Sequence, residues 1–251
     1  MSSSSSVVHV ALLPSAGMGH LTPFLRFAAM LSRHHFHVTL ITPQPTMTNT
    51  ESKLLSKFFT AFPHVNQLNL HLLPSSSTSS NGDPFFLQID AIRRSSHLLH
   101  PLLSSLSPPL SSFVYDMTLT SPLLDREGVF RKLFMEDSPK LLKLHGVFLN
   151  TFEELESDTL KALNLGDVVK DLPTVHALGP FVPCYEFEGL GERGEPLKWL
   201  DEQPNGSVIY VCFGSRTALE SKQIREIGDG LMRSGFRFLW VVKVNKVDKE
   251  R

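Results

Sequence analysis

The chain has 251 residues, 41% of them hydrophobic, enough to bury a sizeable core in one large domain or two small ones. A formal net charge of -1 leaves no global basic field to draw it to nucleic acid or to an acidic membrane. Its two cysteines, Cys184 and Cys212, form no C-x-x-C arrangement, which argues against a disulfide framework or a zinc knuckle and for a reduced, cytoplasmic protein.

The N-terminal "MSSSSSVVHVALLPSAG" lacks the basic region of a signal peptide, and its apolar run stops at Pro14. Val7 to Leu13 therefore reads as a buried strand. No stretch reaches the length of a membrane span. "SAGMG" is a turn, and Leu21 to Arg33 carries apolar residues at helical spacing. "HVTLITP" (His37 to Pro43) is the next strand, so the first forty residues make a βαβ unit and imply a parallel sheet. "TNTESKLLSKFF" is a helix capped by Thr48 or Asn49, and "VNQLNLHLL" alternates as a strand.

"PSSSTSSNGDP" is a polar loop. Pro84 to Leu103 reads as a helix broken at Pro101, with Arg93 and Arg94 as surface charge. "SSFVYDM" is a short strand ending in Asp116. "HGVFLNTFEELES" is a strand followed by a helix, and Thr151 and Glu154 have capping-box spacing. "VHALGPF" is a further strand. Residues 183–196 have the Pro, Gly and charge content of a linker. A second βαβ unit follows: strand Ser207 to Phe213, turn "GSRT", helix Ala218 to Ser234 and strand Phe238 to Val242. Two strands and a helix cannot bury both faces of a sheet, so this part is expected to be incomplete. The fold class is α/β. Residues 1–182 form a Rossmann-like parallel-sheet domain, and residues 197–251 begin a second one.

The first turn, G-x-G-H (Gly17, Gly19, His20), is not a dinucleotide fingerprint, because Thr22 stands at the third glycine position. "LITPQPT" offers no ribose-binding acid, so a nicotinamide oxidoreductase is disfavoured. Glycines still allow a ligand close to the backbone, and the following helix points its first amides at it. His20 either satisfies local backbone or acts chemically. It lies at the C-terminal end of the first strand, where open α/β sheets bind ligands. Asp116 ends another strand of the same sheet. A carboxylate that orients an imidazole and stabilises its cation makes a general base, although Asp116 equally suits a helix cap. "FGSRT" (Phe213 to Thr217) is either an anion site or ordinary capping. His34, His35 and His37 straddle a turn without metal-ligand spacing, and no metal is expected. Glu153, Glu154 and Glu156 form a solvated helix face.

"HVALLPSAGMGHLTPFLRFAAML", "GVFLNTFEELE", "VHALGPF", "WLDEQPNGSVIYVCFGS" and "GLMRSGFRFLWVV", in this order, closely resemble plant UDP-sugar-dependent glycosyltransferases of the inverting, two-Rossmann-domain (GT-B) type. "LITPQPT", "DPFFLQ", "IRRSSHLL" and "YDMTLTSPLL" are similar to the branch of flavonoid C-glucosyltransferases. The resemblance implies that His20 is the base that deprotonates a phenolic acceptor and that Asp116 is its partner. The acceptor then attacks UDP-glucose with inversion, through oxygen or through a ring carbon. Gly19, Gly214, Ser215 and Thr217 are implied in donor binding, and Ser15, Met18, Phe85 and Met117 in acceptor binding. UDP-glucose is a co-substrate, and no cofactor is implied. Where the C-glucosylating branch has an Asp-Ile pair, Asp116-Met117 keeps the acid and changes its neighbour.

Against the family pattern, several dozen residues are expected to be missing near 124–130. The His-Gly-Gly-Trp-Asn-Ser signature that holds the donor does not occur in the sequence. The expectation is thus a shortened, inactive glycosyltransferase. The alternative is a non-catalytic fragment that binds phenolics or associates through exposed surfaces.

Overall fold

The computed structural model describes residues 7–46, 48–73, 84–119, 139–189, 195–214 and 218–242. The chain divides into two compact units, Met1–Gly189 and Leu190–Arg251.

In the first unit, strand β1 (His9–Leu13) is buried along its whole length. A strand flanked on both sides and covered on both faces must be apolar throughout, and "HVALL" nearly is. It pairs in parallel with β2 (His37–Gln44) on one side and with β4 (Ser112–Tyr115) on the other. Strand β3 (Asn66–His71) lies beyond β2, so the order is β3-β2-β1-β4. Helix α1 (Met18–Arg33) links β1 to β2, and α2 (Asn49–Ala61) links β2 to β3. Helices α3 (Pro84–Arg94) and α4 (Leu99–Ser104) come between β3 and β4.

Successive side chains of a strand face opposite sides of the sheet, which gives this sheet two cores. Val10, Leu12, Val38 and Leu40 pack with Leu25 and Ala28 of α1 and Leu55 and Phe58 of α2. Ala11, Leu13, Ile41 and Leu70 pack with Ile92 of α3 and with Leu99 and Leu102 of α4. Strands β5 (Val147–Leu149) and β6 (Val175–Ala177) form a separate parallel pair, joined through α5 (Glu153–Leu165).

The structure differs from the sequence reading at several places in this unit. The helix that begins at Pro84 ends at Arg94, not at Pro101. Ser95 Oγ donates to the Ala91 carbonyl at 2.7 Å and accepts from Leu73 N at 2.9 Å, which draws the chain out of the helix. Pro101 sits in the first turn of α4, where a missing N–H costs nothing. At α5 the Thr151–Glu154 capping box does not form. The helix starts at Glu153 after Phe152, without a side-chain cap, and Thr151 Oγ1 instead donates to Glu156 at 3.3 Å. Finally, residues read as the start of a linker belong to the first unit. Short helix α6 (Tyr185–Glu188) buries Phe187 against Phe58 and Phe62, with ring centroids 5.2 and 6.4 Å away. Arg26 of α1 clamps the same segment, through two bonds to Glu188 (2.7 and 2.6 Å) and one to the Phe181 carbonyl (2.8 Å). Irregular composition hid a segment tied down by side chains far away in sequence.

The second unit has α7 (Glu195–Asp201), then β7 (Val208–Cys212), α8 (Ser221–Arg233) and β8 (Arg237–Val241). The strands pair in parallel, Val208 opposite Arg237 through Cys212 opposite Val241. This is the βαβ unit expected from the sequence. No residue of β7 or α8 is buried, and Tyr210 is 64% exposed.

Candidate functional site

The site is built at the end of β1. The chain leaves the strand through Pro14, Ser15 and Ala16 and turns at Gly17, whose φ of 90° is in the range that favours glycine. Helix α1 begins at Met18, three residues earlier than expected, so His20 lies in its first turn rather than before it. The Gly17 carbonyl accepts from the amides of His20 (3.0 Å) and Leu21 (2.9 Å). No side chain caps this helix, and its first turn contains no acid. The turn is held from outside. Glu51 of α2 is 4% exposed, and its Oε1 accepts from Gly17 N at 2.8 Å. Its Oε2 accepts from Thr48 N at 2.9 Å, while Thr48 Oγ1 accepts from Glu51 N, completing a capping box. One buried carboxylate thus starts α2 and fixes the loop that presents His20.

Because β1 and β4 are neighbours, with Leu13 opposite Tyr115, the residues after both strands emerge together. The chain order reverses between these strands, and such a crevice is where open α/β sheets take ligands. Asp116 N donates to the Leu13 carbonyl at 3.1 Å. Asp116 Oδ2 lies 2.9 Å from His20 Nδ1, and the two side chains are 10% and 32% exposed. A carboxylate can only accept, so Nδ1 is assigned the proton and Nε2 the lone pair. Nε2 makes no hydrogen bond among the described residues. Asp116 Oδ1 accepts from Thr118 N (2.9 Å) and Thr118 Oγ1 (2.6 Å), capping the 3₁₀ turn Met117–Leu119. Asp116 thus meets His20 with one oxygen and caps the turn that follows it with the other. Burial pushes this carboxyl up, but the hydrogen bonds from His20 and Thr118 outweigh burial and hold it below its ordinary value. The ring of Phe85, on α3, lies 5.5 Å from the His20 ring, tilted by 32°.

An imidazole with one nitrogen oriented by an ionised carboxylate and the other open is arranged to accept a proton and to hold the resulting cation. Met117, 51% exposed, and half-buried Met18 flank the pair in the chain. Ser15 is placed differently. It is 4% exposed, its Oγ has no partner among the described residues, and it lines a cavity of about 30 Å³ with Thr42, Thr46, Glu51 and Gln88. That volume admits a water, not an aromatic ring. Gly19 is exposed in the first turn of α1, and a Cβ there would meet nothing within 4 Å. Gly214, two residues beyond β7, has φ of 80°. Ser215 and Thr217, and the segment near 124–130, lie outside the described residues.

Glu51, Thr118 and Arg93 were not singled out from the sequence. Thr48-x-x-Glu51 has the spacing of a capping box and could have revealed Glu51. Asp116-x-Thr118 has the spacing of a side chain closing its own turn. Arg93 corrects an expectation: it is not surface charge but 7% exposed, and its Nη2 donates to the Thr118 carbonyl. Arg94 pairs with Asp90 at 2.8 Å on α3. Among the described residues no group of three His, Cys, Asp or Glu side chains could hold a metal, and no helix is long and apolar enough to cross a membrane.

No family model matches the sequence. The chain is 42% identical to UDP-glycosyltransferase 708D1 of Glycine max, over 100% of this chain and 68% of that relative. It is 43% identical to UDP-glycosyltransferase 708G2 of Citrus unshiu, over 96% of this chain and 65% of that relative. Among solved structures, LpCGTa in complex with UDP superposes with a TM-score of 0.79 at 36% identity, covering 95% of this chain and 66% of the other. The chain thus spans about two thirds of the length of the curated relatives it matches. The alignment with the soybean relative runs over 327 residues against 251 here, so that relative carries residues with no counterpart in this chain.

Proposed function

Since the chain belongs to the plant UDP-glycosyltransferase family, we propose that its site serves glucosyl transfer from UDP-glucose to a flavonoid or related phenolic acceptor. The single observation that carries this reading is the His20–Asp116 pair at 2.9 Å beside Phe85. His20 Nε2 takes the phenolic proton, and Asp116 stabilises the imidazolium that forms. The acceptor attacks the anomeric carbon from the face opposite UDP. The new bond forms as the bond to the diphosphate oxygen breaks, with inversion. In O-transfer the phenolate oxygen is the nucleophile. In C-transfer the phenolate makes its ortho carbon nucleophilic, and that carbon's proton then passes to water as the ring is restored, while the imidazolium returns its proton to the phenolate oxygen. UDP-glucose enters as co-substrate.

Phe85, Met18 and Met117 are assigned to the acceptor side. Ser15, behind the glycine turn, acts at most through a water. The uncapped amides at the start of α1, with Gly19, suit the negative charge of a diphosphate. The family resemblance assigns Gly214, Ser215 and Thr217 to the donor as well.

The test separates acceptor chemistry from transfer. The purified chain is titrated with phloretin near neutral pH and followed by the phenolate absorption band. The parent is expected to raise the phenolate fraction of bound phloretin, and His20→Ala to abolish that rise. An equal rise in both proteins removes the base assignment. UDP-glucose is then added and product is measured. The expectation of an inactive chain predicts none, and product above the His20→Ala level overturns that expectation alone. In an active chain, loss of the base costs about 10²- to 10⁴-fold in rate.

A second reading, self-association, is favoured by Tyr210, Phe213, Met232 and Phe236, which are 64%, 43%, 72% and 62% exposed in the second unit. Sedimentation of a single monomeric species at micromolar concentration would exclude it. The nicotinamide reading gives way to the family assignment.

A further inference from the structure

We propose that Thr118, pinned by the buried Arg93, is the positioning residue that makes Asp116 a partner for His20. The inference rests on the reading of His20 and Asp116 as the working pair, but its test reads the imidazole and the carboxylate directly, not product.

A carboxylate at the end of a strand can rotate about its side-chain torsions and offer either oxygen to either neighbour. Here the choice is removed. Thr118 gives Asp116 Oδ1 two donors, N at 2.9 Å and Oγ1 at 2.6 Å. With that oxygen occupied twice, Oδ2 is directed to His20 Nδ1. Hydrogen bonds to the group behind a working imidazole fix its tautomer and orientation. The clamp works only if Thr118 is itself fixed. Its carbonyl accepts from Nη2 of Arg93, which is 7% exposed on α3. The amide of the next residue, Leu119, closes the turn on the Asp116 carbonyl at 3.0 Å. Helix α3 also carries Phe85, whose ring lies 5.5 Å from that of His20. A single helix therefore braces both members of the pair, one through Phe85 and the other through Arg93 and Thr118. The main-chain bond from Asp116 N to Leu13 fixes only the backbone of the acid, so the side-chain clamp is what selects the oxygen.

The decisive measurement is NMR on the full 251-residue chain. Ring ¹⁵N shifts report the His20 tautomer, and the ¹³C carboxyl shift follows Asp116 through acid pH. In the parent's neutral imidazole, Nδ1 is expected to be pyrrole-like and Nε2 pyridine-like. Thr118→Val removes the hydroxyl with little change of shape. It is expected to bring the two nitrogen shifts together and to move the Asp116 midpoint upward. Thr118→Ser keeps the hydroxyl and is expected to restore both parent signatures. Thr118 is half-buried, so loss of a methyl is tolerated, and dispersed methyl signals verify folding of each variant. If Thr118→Val folds but does not stay monodisperse, Thr118→Ala replaces it. Parent-like tautomer and midpoint in the hydroxyl-free variant, or a Thr118→Ser variant that behaves like Thr118→Val, overturn the proposal. Arg93→Lys, which keeps charge but loses the planar fork, is expected to fall between parent and Thr118→Val.

Discussion

A histidine lies near each end of β1, His9 within the strand and His20 on α1 beyond its C-terminal end, and the pair contrasts a structural imidazole with the one proposed to act chemically. At the N-terminal end, His9 is fully buried. Its Nδ1 meets the Pro108 carbonyl at 2.7 Å, its Nε2 meets Thr39 Oγ1 at 2.8 Å, and the His37 ring stands edge-on 4.5 Å away. Both nitrogens are spent on the fold. Beyond the C-terminal end, His20 gives one nitrogen to Asp116 and leaves 32% of its side chain exposed. The residue type is the same, and both lie near an end of the same strand. What differs is the strand end, because loops at the C-terminal ends of a parallel sheet open onto a crevice while the opposite ends here are closed by Pro108 and Ser111.

The largest expected effect lies at the structural histidine. His9→Ala leaves a buried carbonyl and a hydroxyl without partners and opens a cavity, costing about 3 kcal/mol in chemical denaturation. His20→Ala removes a donor from Asp116 but opens its place to solvent, and is expected to cost less, about 1 kcal/mol. Equal losses in the two variants would erase the distinction between the strand ends.

Next comes Glu51→Ala. It strips the acceptor from the Gly17 amide and breaks the α2 capping box, for about 2 kcal/mol. Amide exchange at Gly17 and His20 is expected to speed up more than exchange in β3. Unchanged exchange at Gly17 would show that the turn holds without Glu51.

The smallest effect is a pH dependence at Asp116. Its folded carboxyl lies below the ordinary 3.8, held there by His20 and Thr118 against the opposing effect of burial. A depressed carboxyl contributes stability that is fully present above the unfolded value. That contribution is lost as pH falls through the folded value. The stability difference between parent and Asp116→Asn is therefore expected to shrink as pH falls below the ordinary carboxylate range. A difference independent of pH down to 2.5 or so would contradict the depressed carboxyl.

Several elements of the fold were legible because their causes are local. "VVHVALLP" is too apolar for an edge strand, and β1 indeed lies between two neighbours. Of the two caps expected, Thr48 or Asn49, Thr48 is the one used, and its partner Glu51 is only three residues away. The second βαβ unit was placed to within about three residues at each boundary, from period and turn residues alone. Local signals also misled. Thr151 and Glu154 had the right spacing for a box that does not form, and Pro101 was credited with a break that Ser95 makes. Propensity ranks what a segment can do, and tertiary bonds choose among the options.

By itself, the sequence determined the α/β class, the parallel βαβ units, the glycine turn with His20 beside it and the family resemblance. Periodicity, turn chemistry and motif order are all written within short stretches, so no folding is needed to see them. Only the tertiary structure decided that β1 and β4 are neighbours and that His20 therefore meets Asp116, 96 residues away. It alone divided the two oxygens of Asp116 between a cap and an imidazole. It alone turned Arg93 from an expected surface charge into a buried brace, and Cys184 and Phe187 from linker into core. In each case the cause is a contact between segments far apart in the chain. Strand order makes such contacts, and no local pattern encodes it.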